Sequence, residues 1–142
     1  MNVAILGRRG TGKTTWCYSM AGLDPPVYPY GTATVNFMSC CVSGINTNIW
    51  DCPPGLGRHF SNMLHTMDAL VVCYNGRCIY GTVDALHAKY NLPIVVAVTR
   101  EYPWSFLHLS DINTLSCRRL PVCRSASELR HAMYQIALCR PS

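Results

Sequence analysis

The chain has 142 residues, 49% hydrophobic and 13% charged, with 12 Lys and Arg against 7 Asp and Glu for a net charge of +5. That length supports one domain burying roughly two-thirds of the surface its extended chain would expose, and the composition excludes a disordered segment. Ten of the cations are arginines scattered as pairs and singles, without the long basic run of a nucleic-acid arm, and no apolar run approaches the ~18 residues of a membrane span.

Val3-Ala4-Ile5-Leu6 reads as a first strand. Directly after it, Gly7-Arg8-Arg9-Gly10-Thr11-Gly12-Lys13-Thr14 fits G-x-x-x-x-G-K-[ST] at every fixed position. A turn that surrounds phosphate must aim its backbone N–H groups inward, which needs glycine where φ is positive or where a side chain would block approach. Gly7, Gly10, Thr11, Gly12, Lys13, Thr14 and Thr15 are therefore the candidate phosphate-binding residues. Lys13 supplies a movable cation for the outer phosphates and Thr14 a hydroxyl for magnesium. The helix expected from Thr14 to Ala21, with Trp16, Cys17 and Met20 on one side and Gly22 past its end, adds its dipole to the same anion site. The bland alternative is a glycine-rich turn with a chance lysine.

Asp24-Pro25-Pro26-Val27-Tyr28-Pro29-Tyr30-Gly31 predicts a long surface loop, because prolines and glycine forbid regular pairing. Thr34–Val42 and Ile45–Asp51 predict two strands of a hairpin turning at Ser43-Gly44. Asp51, at a strand's C-terminal end where ligands collect in α/β sheets, is the candidate magnesium partner. A helix is expected from Arg58 to Met67, with Phe60, Met63, Leu64 and Met67 along one side. Ala69–Tyr74 is a continuously apolar strand of the kind buried on both faces of a parallel sheet. Ile79, Val83, Leu86 and Tyr90 mark a further helix, stopped by Asn91-Leu92-Pro93. Ile94–Val98 and Leu120–Cys123 predict the last strands, with an irregular segment holding Pro103 and Trp104 between them. Ser125-Ala126-Ser127-Glu128 reads as a capping box opening a final helix through Leu129, Met133 and Ile136. This order implies an α/β fold with a mostly parallel sheet, one antiparallel hairpin strand and helices on both faces.

The first strand begins almost at Met1, with no basic and apolar leader before it, so a cytoplasmic protein is expected. An odd count of 9 cysteines, several in apolar runs, suits reduced thiols better than a disulfide scaffold. Cys73-x4-Cys78 and Cys117-x5-Cys123 have the wrong spacing for zinc knuckles. His59, His65, His87, His108 and His131 share no ligand spacing. Cys139-Arg140-Pro141-Ser142 has the length of a prenylation box, but its middle positions are not aliphatic.

On these motifs the chain resembles the small Ras-like GTPases, in a shortened form similar to the compact P-loop proteins of ethanolamine-utilisation operons. The resemblance implies a single three-layer P-loop NTPase domain over residues 1–142. Thr32-Ala33-Thr34-Val35-Asn36-Phe37 looks like the first switch, which makes Thr32 a ligand of magnesium and γ-phosphate. Ile49-Trp50-Asp51-Cys52-Pro53-Pro54-Gly55 looks like the second, with Asp51 in place, Pro54 where the family has glycine, and Gly55 one residue late. Ala97-Val98-Thr99-Arg100-Glu101-Tyr102 stands where the base-reading motif lies. There Thr99 fits, but Tyr102 replaces the aspartate that pairs with guanine. Ser125-Ala126 matches the last, short motif.

The resemblance implies GTP or GDP with magnesium as ligands, ATP not being excluded, and protein partners that meet the switch loops. It implies weak or absent hydrolysis, since the position that holds a water-orienting glutamine falls on Gly55. Arg9 occupies a loop position where the family keeps glycine, either obstructing the water or acting as an arginine finger in cis. Lys13 and Arg9 are thus the candidate catalytic residues. A small P-loop metabolite kinase and a non-catalytic, nucleotide-holding interaction module are the alternative functions.

Overall fold

The computed structural model describes residues 1–7, 12–23, 36–52, 58–74, 80–98 and 121–139. In chain order the elements are β1 (Asn2–Leu6), α1 (Lys13–Ala21), β2 (Asn36–Val42), β3 (Ile45–Asp51), α2 (Arg58–Leu64), β4 (Ala69–Tyr74), α3 (Tyr80–Tyr90), β5 (Ile94–Val98), β6 (Val122–Cys123) and α4 (Ala126–Leu138). The six strands form one sheet in the order β2-β3-β1-β4-β5-β6. Every neighbouring pair is parallel except β2 with β3. The expected α/β class and its single antiparallel hairpin are therefore present.

Strand composition explains each strand's place. All six residues of β4 and all five of β5 are buried, as continuous apolar runs must be when both faces of a parallel sheet are covered. Alternate residues of β1 enter two separate cores. Val3 and Ile5 pack with Cys17 and Met20 of α1 and Leu129 and Met133 of α4. Ala4 and Leu6 pack instead with Leu64 of α2 and Val83 of α3. Helices thus lie on both faces, in a layered arrangement that follows from the period-two alternation of strand side chains.

The hairpin turn is set by two positive φ values, 50° at Ser43 and 83° at Gly44, with Val42 facing Ile45 across it. Two consecutive left-handed residues make a type I′ turn, whose twist matches that of the strands it joins. On the face that also carries Trp50, Ser39 Oγ donates to Asn48 Oδ1 at 2.6 Å and Asn48 Nδ2 donates to Asn2 Oδ1 at 2.9 Å. That chain of side chains ties β2 to β3 and β3 to β1.

The helix termini are individually explained. Gly22 at φ 74° ends α1 in the left-handed conformation, and Leu23 N reaches back to Tyr18 O at 2.9 Å, using a carbonyl the helix leaves open. Helix α4 also reaches this end, since Arg130 Nη2 donates to Ser19 O at 2.5 Å, an oxygen that also accepts from Gly22 N at 3.2 Å, and Arg130 Nε donates to Met20 O at 3.4 Å. At the start of α4, Ser125 Oγ accepts from Glu128 N at 3.2 Å and Glu128 Oε2 accepts from Arg124 N at 2.5 Å. The capping box is present, its glutamate reaching the N–H one residue before the cap.

Some boundaries differ from expectation. Helix α1 starts one residue early, at Lys13, and the strand expected over Leu120–Cys123 is Val122–Cys123. The helix read as extending to Met67 ends at Leu64. Thr66 donates to Met63 O through both its backbone N–H at 3.0 Å and its hydroxyl at 2.7 Å, and this local competition for a helix carbonyl closes a turn instead. Met67 is still buried, but it reaches the core from the turn.

Candidate functional site

The connection after β1 runs through α1 on one face of the sheet, while the connection after its neighbour β3 runs through α2 on the other. Adjacent strands whose connections diverge in this way leave a crevice outside their carboxyl ends, where α/β folds place their ligands. Ile5 is level with Asp51 in the parallel register, and Cys52 N donates to Ile5 O at 3.1 Å. Gly7 and Asp51 consequently emerge at the same mouth.

Gly12 stands at φ 82°, ψ 20° as the N-cap of α1, a conformation that disfavours residues with a Cβ. Its carbonyl accepts from Trp16 N at 3.1 Å, so the helix starts immediately and Lys13 falls in its first turn. Lys13 is only 5% exposed, and its Nζ donates to Gly7 O at 3.0 Å. The side chain therefore reaches back to Gly7, and the ammonium stands at the C-terminal end of β1. A nearly buried lysine is unusual, because desolvating an ammonium is costly unless it is paired.

Thr14 Oγ1 donates to Asp51 Oδ2 at 2.6 Å. Asp51 is fully buried, and its Oδ1 has no hydrogen-bond partner among the described residues. One oxygen of a buried carboxylate is thus engaged while the other is left with an unmet demand, worth about 1–3 kcal/mol of desolvation penalty or more for a charged group. A hard divalent cation, or water bound to one, would meet it. Among the described residues no group of three or more His, Cys, Asp and Glu is arranged to hold a metal ion. A hydroxyl and a single carboxylate instead match the way magnesium is held when its remaining ligands are phosphate oxygens and water. The residues present fit that cation.

Three buried thiols, of which the sequence had given no functional hint, lie around this pair. Cys17 is one helical turn beyond Lys13 and Thr14, Cys52 follows Asp51, and Cys73 sits on β4. Burial, then the nearby Asp51 carboxylate, pushes the Cys17 thiol far up, with Lys13 opposing. Burial first and Asp51 second push Cys52 up to about 12. Cys73 is also pushed up to about 12, chiefly by burial, with Lys13 working against it and Asp51 with it. These thiols remain protonated and chemically inert at neutral pH. Their role is packing in the two cores, Cys17 and Cys73 on the α1 face of the sheet and Cys52 on the α2 face.

Of the remaining sequence candidates, Thr15 is exposed on α1. Ser125 and Ala126 begin α4 beyond the C-terminal end of β6, where the Ser125 hydroxyl serves as the cap. Arg9, Gly10, Thr11, Thr32, Gly55 and Thr99 lie outside the described residues, as do Tyr102 and Pro54. The described structure thus joins Gly7, Gly12, Lys13, Thr14 and Asp51.

A cavity of about 1140 Å³ opens between α4 and the N-terminal ends of β4, β5 and β6, away from the carboxyl ends that form the crevice. Its walls include Pro93, Val122, Glu128, His131, Gln135 and Ile136, with no Lys or Arg among the described lining residues. It has the size of a ligand pocket, but no Lys or Arg on its described walls to meet a phosphate. The crevice holding Lys13, Thr14 and Asp51 is favoured on chemistry. No described helix is long and apolar enough to cross a membrane. No protein-family model and no curated protein matches the chain.

Proposed function

We propose that this chain is a small GTP-binding protein of switch type, holding a magnesium-bound nucleoside di- or triphosphate at the turn between β1 and α1, with weak or absent hydrolysis. The observation that carries the reading is the pairing of Lys13 Nζ with Gly7 O beside a Thr14–Asp51 hydrogen bond whose carboxylate keeps one unmatched oxygen. A buried cation, a helix N-terminus and a hydroxyl–carboxylate pair are what a polyphosphate with a hard cation requires in one place.

In this reading Lys13 leaves Gly7 O, or shares itself with it, to neutralise the outer phosphates. Gly12 and the first N–H groups of α1 receive phosphate oxygens, and the positive end of the helix dipole favours the same charge. Thr14 and Asp51, with Thr32 from the first switch, would hold magnesium, which supplies charge neutralisation between the phosphates. The guanine preference rests on the resemblance alone, through Thr99 and through Ser125 and Ala126. With Tyr102 where a carboxylate would face the guanine N–H groups, selectivity over adenine falls short of the ~10⁴-fold reached by sites that hydrogen-bond a group its analogue lacks. Protein partners would meet the nucleotide-dependent loops that contain Thr32 and Gly55.

Calorimetric titration of GTP, GDP and ATP with magnesium tests the reading. Wild-type protein is expected to bind guanine nucleotides, and Lys13→Ala to lose at least about a hundredfold in affinity while keeping its circular dichroism. Equal affinity in the two proteins, or no nucleotide binding by wild type, would overturn the proposal.

A further inference from the structure

Helix α1 carries one wall of the crevice, yet its own sequence does little to hold it in place. An isolated helix shorter than about 12–15 residues is marginal in water, so its stability has to come from packing. α1 has 9 residues, with no acidic residue in its first turn and no basic residue in its last. Its ends therefore bring no charges of their own to complement the helix dipole. Apart from Lys13, its buried side chains are Cys17 and Met20, both packed in the core shared with α4. Lys13 and Thr14 fasten the N-terminal end, to Gly7 and Asp51.

The C-terminal end is fastened by a residue remote in sequence. Arg130 Nη2 donates to Ser19 O at 2.5 Å and Nε to Met20 O at 3.4 Å, across separations of 111 and 110 residues. Among the described residues no carboxylate is paired with this guanidinium. Its charge is directed instead at the last carbonyls of α1, where a cation complements the negative end of the dipole. Helix α4 is a firm support for it, being 13 residues long, capped by Ser125, and set into the core by the fully buried Leu129 and Met133.

We infer that Arg130 is a positioning residue for the nucleotide site: from α4 it fixes α1 by its C-terminal end and so keeps the first turn aligned with Gly7 and Asp51. The inference rests on the nucleotide-binding reading above. A helix of 9 residues is about 13 Å long, and a hydrogen-bonded helix moves as a rod, so tilt or slip at one end appears at the other. Binding groups have to be held to within about 0.5 Å of their working positions. Without the guanidinium, a smaller share of molecules presents the first turn in that position, and apparent affinity falls with that share. The two donors of a planar fork set both the height of α1 and its rotation, which a single flexible ammonium does less well.

Nucleotide titration, urea unfolding and amide hydrogen exchange on wild type, Arg130→Met and Arg130→Lys test this. Affinity for magnesium–GTP, measured well below the unfolding temperature, should weaken at least about fivefold in Arg130→Met, with Arg130→Lys between that variant and wild type. In nucleotide-free protein the Trp16 amide, whose bond to Gly12 O opens the helix, should exchange faster in Arg130→Met by a larger factor than the amides of the buried strand β4. A residue that only stabilised the fold would lower the urea midpoint and speed both sets of amides alike while leaving affinity unchanged. That result would overturn the inference, as would Arg130→Lys binding no better than Arg130→Met. Arg130→Gln makes the same comparison if Arg130→Met does not fold. Failure of wild type to bind any nucleotide would strike the nucleotide-binding reading itself, and the exchange comparison would still decide whether Arg130 holds α1.

Discussion

The Thr14 hydroxyl and the Asp51 carboxylate meet at 2.6 Å, joining the first turn of α1 to the last residue of β3. The contact spans 37 residues of sequence and closes the crevice between strands whose connections pass to opposite faces of the sheet. Asp51 is fully buried and its second oxygen has no hydrogen-bond partner among the described residues, which supports the proposed cation role of the pair. Asp51→Asn removes the charge while keeping an oxygen to accept from Thr14. The magnesium-dependent part of nucleotide affinity should then fall at least about tenfold, while affinity measured in chelator changes little. An unchanged magnesium dependence in that variant would remove Asp51 from the cation site.

Hydrolysis is expected to be very slow, because Gly55 offers no side chain to orient water and Pro54 no N–H. Arg9 then obstructs more than it assists, since stabilising transition-state charge helps little without a positioned nucleophile. Single-turnover hydrolysis of bound GTP should be slow in wild type and no slower in Arg9→Gly. Brisk wild-type turnover that collapses in the variant would instead make Arg9 catalytic.

Alkaline pH should destabilise the fold. The thiols of Cys52 and Cys73, with an ordinary value of 9.0, are pushed up to about 12 in the folded chain, in both cases chiefly by burial. Below pH 9 both states hold these protons and the stabilisation is complete. Above it the unfolded chain releases them while the folded chain does not, so stability falls as pH rises from about 9 towards 12. The slope approaches ~1.4 kcal/mol per pH unit for each such thiol. Urea unfolding at pH 8 and pH 10.5 measures the loss, and Cys73→Ala should reduce it even though the variant starts from lower stability. An equal loss in both proteins would show that Cys73 does not carry it.

The hairpin turn offers a stability test independent of any ligand. A Cβ on Gly44 would meet nothing within 4 Å, so Gly44→Ala should cost about 1 kcal/mol through its φ of 83° alone. Ser43→Asn should be neutral or stabilising, as asparagine accepts the left-handed region more readily. Thermal unfolding should therefore shift down in Gly44→Ala and not in Ser43→Asn, and a shared loss would contradict the turn assignment.

Much of the architecture could be read along the chain because its causes are local. The apolar runs of β4 and β5, the turn at Ser43 and Gly44, the glycine after α1 and the serine–glutamate cap of α4 each declare themselves within a few residues. The motif ending in Lys13 and Thr14 is equally local in sequence, and Asp51 does stand at a strand's end. The end of α2 was less legible, because the Thr66 hydroxyl and the helix compete for the same Met63 carbonyl at small differences in free energy.

What tertiary structure alone decided are the relationships between distant residues. Nothing local says that β3 lies between β2 and β1, that Asp51 receives the Thr14 hydroxyl, or that Arg130 takes up the last carbonyls of α1. Nor does composition send Cys17 and Cys73 into one core and Cys52 into the other, or leave the uncharged β2 at the end of the described sheet. Those facts depend on strand order, and strand order is settled by which apolar faces are buried together, a property of the whole chain's packing rather than of any stretch of it.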